Sequence, residues 1–368
     1  MAMTPDTPRV QVLTIHDIAK EANKALPETY RHYYNDGAGE MSTLLDNEKA
    51  YNRYKLRPRV LRDVHDVDTT TEIFGVKVAA PLGFAPTAAH KLAHPIGEVG
   101  TSRVAARNGV PMCLSTYSTT SLEDVISHGM GNPYAMQVSF FDDADVTHQL
   151  IKRAERAGYK ALFVSVDLPV LGYRLNEKRS KFRFPPHLTF PNIQQESDDP
   201  MKHYGAGYDS TLTWEKTISW LKKNTRMQIW LKGIVSPEDV QLAIDHGLDG
   251  VVISNHGGRQ LDGQSSTLDA LRECGPVAHG KIPLVLDGGI RRGSDIFKAV
   301  ALGATACFVG RIPIWGLAYN GEAGVGEAVS ILLREFRETM MHMGCQTLSD
   351  ITPKCLSIER ANGMIARL

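Results

Sequence analysis

From residue 80 onward the chain alternates short, nearly continuous apolar runs with longer amphipathic stretches, eight times over. Few folds tolerate that pattern. The apolar runs cover 80–86, 110–116, 134–140, 161–167, 228–233, 250–256, 282–287 and 306–310. Each is short and lacks the polar alternation of a half-exposed strand, so each reads as a strand of a parallel sheet covered on both faces. Helical patterning fills the intervals near 96–108, 122–128, 143–157, 214–221, 266–279, 293–302 and 323–342. Over 143–157, Val146, Leu150, Ile151 and Ala154 share one face. Ser236-Pro237-Glu238-Asp239 opens one more helix with N-cap chemistry, a proline and two acids in its first turn. Eight β–α units predict an α/β protein closed as a (β/α)₈ TIM barrel. An open doubly wound sheet would want a G-x-G-x-x-G after an early strand, and the chain has none there.

Residues 1–79 form a leader to this repeat, helical over 14–36 with a break at Leu26-Pro27 and an end at Asn35-Asp36-Gly37-Ala38-Gly39. A turn-rich stretch with β-like pieces near 71–78 follows. The barrel spans 80–342 as a single domain, interrupted after strand four by a long polar loop, 180–212, of a length typical of lids. Residues 343–368 are a C-terminal tail. Lys plus Arg equals Asp plus Glu at 41 each, so no basic field invites nucleic acid or an anionic membrane. No apolar run approaches the roughly 18 residues of a membrane helix, and residues 1–10 lack the apolar core of a signal peptide. Five cysteines without a C-x-x-C pair suit a reducing compartment. His90 and His94 have ligand-like spacing, but Pro95 follows and no third ligand is in view, so no metal site is expected. The final tripeptide, Ala366-Arg367-Leu368, is close to the Ser-Lys-Leu peroxisomal address; the alternative is a cytoplasmic protein.

In such barrels the reactive groups gather at the C-terminal ends of the strands. Here those ends carry Asp167, Lys232, His256, Asp287 and Arg311. The run 251–262, VVISNHGGRQLD, is the most telling: a buried strand stops at a histidine, with an arginine three residues on. His256 reads as a base and Arg259 as a grip for an anion. A carboxylate behind the imidazole, for which Asp167 is the candidate, would fix its tautomer and stabilise its protonated form. Lys232 ends an apolar strand and needs an anionic partner, either a structural carboxylate or a ligand. Asp287-Gly288-Gly289-Ile290-Arg291-Arg292-Gly293 and Val309-Gly310-Arg311 place glycines and arginines on neighbouring strand ends. Barrels bind phosphate there; the alternative is solvated loop charge.

Taken jointly, SNHGGRQLD at 254–262, DGGIRRG at 287–293, FAPTA at 84–88 and LKG at 231–233 closely resemble the FMN-dependent α-hydroxy acid oxidase and dehydrogenase family, the one containing glycolate oxidase. The resemblance runs from about residue 17 to the end. It implies His256 as base, Asp167 as its carboxylate partner, Arg174 and Arg259 on the substrate carboxylate, and Tyr33 assisting. It implies FMN contacts at Pro86, Thr87, Ala88, Ser115, Gln137, Ser165, Lys232 and Ser254, with the phosphate near Asp287, Gly289, Arg291, Gly310 and Arg311. The implied reaction is oxidation of an (S)-2-hydroxy acid to the 2-oxo acid, with O₂ as acceptor and hydrogen peroxide as product, in a homo-oligomer of four or more chains. Three positions depart from the family pattern: Ser139 stands for a tyrosine, Tyr117 for a tryptophan and Ala89 for a methionine. These favour a bulkier, non-standard 2-hydroxy acid over glycolate. A flavin-binding protein without turnover is the remaining alternative.

Overall fold

Eight parallel strands close on themselves in chain order, in a computed structural model describing residues 11–193, 207–359 and 362–368. They are β1 (Leu82–Phe84), β2 (Met112–Leu114), β3 (Tyr134–Val138), β4 (Ala161–Ser165), β5 (Gln228–Ile234), β6 (Gly250–Ile253), β7 (Leu284–Asp287) and β8 (Ala306–Val309). Closure comes where Cys307 of β8 pairs with Leu82 of β1. Three helices precede the barrel: α1 (Ile15–Ala25), α2 (Glu28–Asn35) and α3 (Ser42–Arg53). Around it run α4 (Gly97–Arg107), α5 (Leu122–Ser127), α6 (Ala144–Ala157), α7 (Leu175–Arg179), α8 (Trp214–Asn224), α9 (Pro237–Asp245), α10 (Thr267–Ala278), α11 (Gly293–Ala301) and α12 (Arg311–Met343). The (β/α)₈ expectation is met.

Side-chain alternation along the strands builds the interior in layers. Cys113, Ala135, Phe163, Trp230, Val252, Val285 and Phe308 form one apolar cluster inside the barrel. Two residues further along five of these strands come Ser115, Gln137, Ser165, Lys232 and Asp287, all on the cavity wall. The floor of the mouth is therefore polar by register. Below it, Phe74 from the hairpin of Thr71–Ile73 and Val76–Val78 packs edge-on to Phe163 and Trp230, with ring centres 5.7 and 5.4 Å away.

Several boundaries differ from the sequence expectation, each for a physical reason. Six of the eight strands stop before the ends of the expected apolar runs, because those residues leave the ladder to turn into the mouth, whereas β7 ends at Asp287 as expected and β5 runs one residue past its expected end, to Ile234. Helix α3 has no counterpart in the expected pattern: it has few apolar residues, and its N-cap, Met41, supplies no side-chain hydrogen bond. The last helix begins at Arg311 rather than near 323 and is interrupted at Asn320–Gly321, where the backbone is non-helical. Residues 343–368 are no loose tail: Leu356–Glu359 pairs with Tyr54–Leu56 on one side and Ile365–Arg367 on the other. Part of the expected lid, 194–206, and residues 1–10 lie outside the described residues. The described first portion of that loop is not simply polar. It buries Phe182, Phe184, Leu188, Phe190 and Ile193 in a cluster with Tyr33, Tyr34, Tyr117 and Phe141. His90 Nδ1 lies 3.0 Å from Thr101 Oγ1, and His94 Nδ1 accepts from the Ile96 backbone.

Candidate active site

At the centre of the floor, Lys232 is buried and sits 3.4 Å from Asp287 Oδ2. Its ammonium donates to Ser254 Oγ (3.0 Å), which in turn donates to Asp287 Oδ1 (2.7 Å). Burial works against the ammonium, but Asp287 and Asp167 outweigh it and hold the Lys232 pKa above the ordinary lysine value. The anionic partner Lys232 required is thus a protein carboxylate, with the cation still on the cavity wall.

His256 stands on a tight turn immediately after β6, with φ of +57°, an uncommon conformation for a residue with a side chain. Three contacts hold it. Its backbone N–H donates to Ser254 Oγ (3.0 Å). The Asn255 side chain accepts from Gly258 N (3.1 Å). The Asn255 and Asn47 carboxamides exchange two reciprocal hydrogen bonds of 2.9 Å, tying the turn to α3. On the imidazole, Nδ1 lies 3.1 and 3.2 Å from the two Asp167 oxygens. An ionised carboxylate only accepts, so Nδ1 carries the hydrogen and Nε2 keeps its lone pair. Burial pushes the His256 pKa below the ordinary imidazole range, Lys232 adds to that, and Asp167 opposes it. Burial would raise the Asp167 carboxyl, but His256 and Lys232 hold it below the usual value. The LKG motif has its explanation here. Gly233 has φ of +111° at a register shift in β5, and a Cβ on it would lie 2.6 Å from Asp167 Cβ.

The two other cations expected at the mouth are also in place. Arg174 is buried at the start of α7, and Arg259 follows the His256 turn; both line the cavity. Arg259 Nη1 donates to the carbonyls of Tyr33 (2.7 Å) and Asp36 (3.0 Å), and its guanidinium lies over the Tyr33 ring at 5.4 Å. Gln260 is not singled out in the sequence analysis, yet it bridges the turn after β6 and the loop after β4. Its side chain donates to the carbonyls of Asp167 and Val170 (both 2.9 Å) and accepts from Gly172 N (3.1 Å).

Lys232, Asp287, His256, Arg174, Arg259 and Gln260 open on one cleft of about 1180 Å³ including its mouth. Pro86, Thr87 and Ala88 line it after β1, facing Ser115, Gln137 and Ser165. Gln137 Nε2 donates to Ser139 Oγ (3.0 Å) and Ser165 Oγ (3.2 Å). Asp167 and Ser254 stand behind this wall, acting through His256 and Lys232. The other end is cationic and glycine-rich, with Gly289, Arg291, Gly310 and Arg311. Gly289 has φ of +76°, and a Cβ there would lie 1.9 Å from the Asn47 carbonyl oxygen, so only glycine fits. Arg291 stacks on Trp315 at 4.7 Å and pairs with Glu48. Arg311 donates to the carbonyls of Tyr34, Gly257 and Asp36, and its pKa is pushed down to about 9 by burial, then by Arg259 and Arg291.

The two nearby helix N-termini differ. The first turn of α11 is already occupied, by Asp295 on the Arg291 and Arg292 amides and by Glu335 on Gly293 N. Helix α12 has no acidic residue in its first turn and no side-chain cap, so its amides suit a phosphate. A cleft with a polar floor, a buried cation on its wall and two guanidiniums beside a helix N-terminus fits a flavin mononucleotide.

A profile of the family described as FMN-dependent dehydrogenase matches residues 22–358. This chain belongs to that family. Its cofactor is FMN, and it is an FMN-dependent oxidoreductase. Among curated relatives, Oxidase FUB9 of Fusarium oxysporum f. sp. lycopersici is 49% identical over 362 residues, covering 96% of this chain and 94% of that protein. Glycolate oxidase of Spinacia oleracea is 41% identical over 352 residues, covering 93% and 95%. Among solved structures, mandelate oxidase with (S)-4-hydroxymandelic acid superposes with a TM-score of 0.87 at 34% identity, covering 92% of this chain and 97% of that one.

On the side of the cleft where the family departures fall, Ser139 is buried with its hydroxyl accepting from Gln137. Tyr117 and Tyr208 meet there with their hydroxyl oxygens 3.1 Å apart, and Tyr208 stacks on Phe141 at 5.9 Å. Tyr208 lies near the end of the long loop and carries no signal in the sequence pattern. Ala89 is buried, and its carbonyl accepts from the Tyr34 hydroxyl at 2.6 Å.

Proposed function

We propose that this protein oxidises an (S)-2-hydroxy acid to the 2-oxo acid, passing two electrons to O₂ and releasing hydrogen peroxide. The observation that carries the reading is the His256–Asp167 pair in one cleft with Arg174 and Arg259. FMN, when bound, accepts the two electrons that leave the substrate's C2. The chain's own residues do the rest. Arg174 and Arg259 hold the carboxylate through charge-assisted hydrogen bonds, orienting the neighbouring carbinol carbon. His256 is neutral at physiological pH and takes a proton at Nε2, and Asp167 stabilises the imidazolium that forms. Lys232 places a positive charge beside the flavin site, where negative charge develops on reduction. Proline and alanine backbone at 86 and 88, with Ser115, Gln137 and Ser165, would cradle the ring, and Ser254 would act from behind it through Lys232. Gly289, Arg291, Gly310 and Arg311 would hold the phosphate. The names of relatives, glycolate oxidase and mandelate oxidase, support the substrate class and the acceptor.

Anaerobic mixing with a panel of 2-hydroxy acids tests this directly. One member should bleach the flavin, and air should restore it with one peroxide per 2-oxo acid. Normal turnover by His256→Ala would refute it.

A second reading concerns size. Ser139 in place of a phenol, with Tyr117 and Tyr208 opposite, leaves a recess for a substituent larger than that of glycolate. Glycolate as the fastest bleaching agent would exclude that reading. A peroxide former also suits a peroxisomal address at Ala366-Arg367-Leu368, testable by the location of a fluorescent fusion with and without that tripeptide. Assembly into a homo-oligomer is proposed alongside, to be read from the mass of the protein in solution.

A further inference from the structure

Two guanidiniums converge on one small region of the mouth, and both are largely withdrawn from water: the Arg174 side chain is 5% exposed and that of Arg259 17%. Glu177, on α7 three residues past Arg174, contacts both. Its Oε1 lies 3.0 Å from Arg174 Nε and 3.5 Å from Arg259 Nη2. Glu177 is itself buried and is not part of the cavity lining, so it stands behind the arginines rather than against the substrate. We propose that Glu177 is a positioning residue that sets the charge of the carboxylate grip, matching it to a mono-anionic head group and against a dianionic one.

Two guanidiniums and one carboxylate leave a single positive charge, which one substrate carboxylate neutralises. Without Glu177 the grip carries two, and a dianion gains twice what a mono-anion gains from the change. Crowding of positive charge is already evident at this mouth: Arg311, nearby, is depressed by burial and then by Arg259. One carboxylate oxygen, Glu177 Oε1, lies within ion-pair distance of both guanidiniums, so its charge acts on the two together. The (S)-2-hydroxy acid reading is the foundation of this inference, which adds that the accepted acids carry one carboxylate.

Oxalate and oxamate have nearly the same shape and differ by one charge at neutral pH. Each is titrated into FMN-loaded protein and followed by the flavin absorbance, a binding readout that needs no turnover. In the wild type oxamate and oxalate both bind, and Glu177→Gln shifts the ratio of their dissociation constants at least tenfold toward oxalate. Glu177→Asp, which keeps the charge, restores the ratio to within about threefold of wild type. An unmoved ratio in Glu177→Gln, or a shift toward oxamate, overturns the inference while leaving the hydroxy acid reading intact. Failure of the wild type to bind either anion overturns that reading as well. If Glu177→Gln and Glu177→Ala both fail to fold while Glu177→Asp is normal, the role is structural and the inference is again overturned.

Discussion

His256 combines an unfavourable backbone with a depressed pKa, and both bear on the role of base proposed for it. Its φ of +57° persists because Ser254, Asn255 and Asn47 over-determine the turn. Since burial disfavours the imidazolium, the acid limb of kcat/KM is expected below the ordinary histidine value of about 6.5. Asp167 is the group that opposes this. Asp167→Asn removes the stabilising charge, so the limb moves to still lower pH and kcat falls by roughly 10²- to 10⁴-fold. A limb that rises in pH in this variant would count against the pairing. Gly233→Ala tests the same pair sterically: its Cβ would intrude on Asp167, and a loss of activity with FMN retained is the expected result. Much of this was legible. Lys232 and Asp287 were legible as strand ends, and Ser115, Gln137 and Ser165 through the family resemblance; in the structure each of the five follows an inward apolar residue by two, which brings it to the mouth. Asn47 and Gln260 were not legible as site residues, because their partners lie far away in sequence and neither belongs to a periodic pattern.

At the scale of elements, α3 shows what pattern reading misses. Its first turn is capped not by its own N-cap but from the far side of the barrel sequence, by Asp262 accepting from Ser42 Oγ and Thr43 N (both 2.8 Å). Burial would raise the Asp262 carboxyl, yet these hydrogen bonds outweigh it and bring its pKa down to about 2. The last residue of SNHGGRQLD is therefore structural, and it fixes the helix whose Asn47 holds the His256 turn. Asp262→Ala should cost about 1 kcal/mol of stability, as the loss of a helix cap does, read from the denaturation midpoint at neutral pH. Activity should fall further than that loss explains, because α3 and the turn move together. The strands, by contrast, were placed correctly, and six of the eight were drawn too long at their C-terminal ends, since apolar periodicity does not mark where a polar residue leaves the ladder.

Across the whole molecule, the cleft collects residues from loops after nearly every strand and from the leader helices, so a ligand in it adds to the contacts that already join these distant parts of the chain. Binding to the native state alone stabilises it, by about 2.7 kcal/mol at a hundredfold excess over Kd. Removal of FMN should thus lower Tm, and Tm should climb steadily as FMN is titrated back. The phosphate assignment makes this sharper. Riboflavin offers the same ring without the phosphate, so it should raise Tm less than FMN at equal free concentration. Arg311 is locked into backbone carbonyls and its replacement would disturb the fold around Tyr34 and Gly257, so Arg291 is the cleaner probe. Arg291→Ala should narrow the gap between FMN and riboflavin while leaving the riboflavin shift almost unchanged. Equal stabilisation of the wild type by the two flavins would remove the phosphate from this end of the cleft.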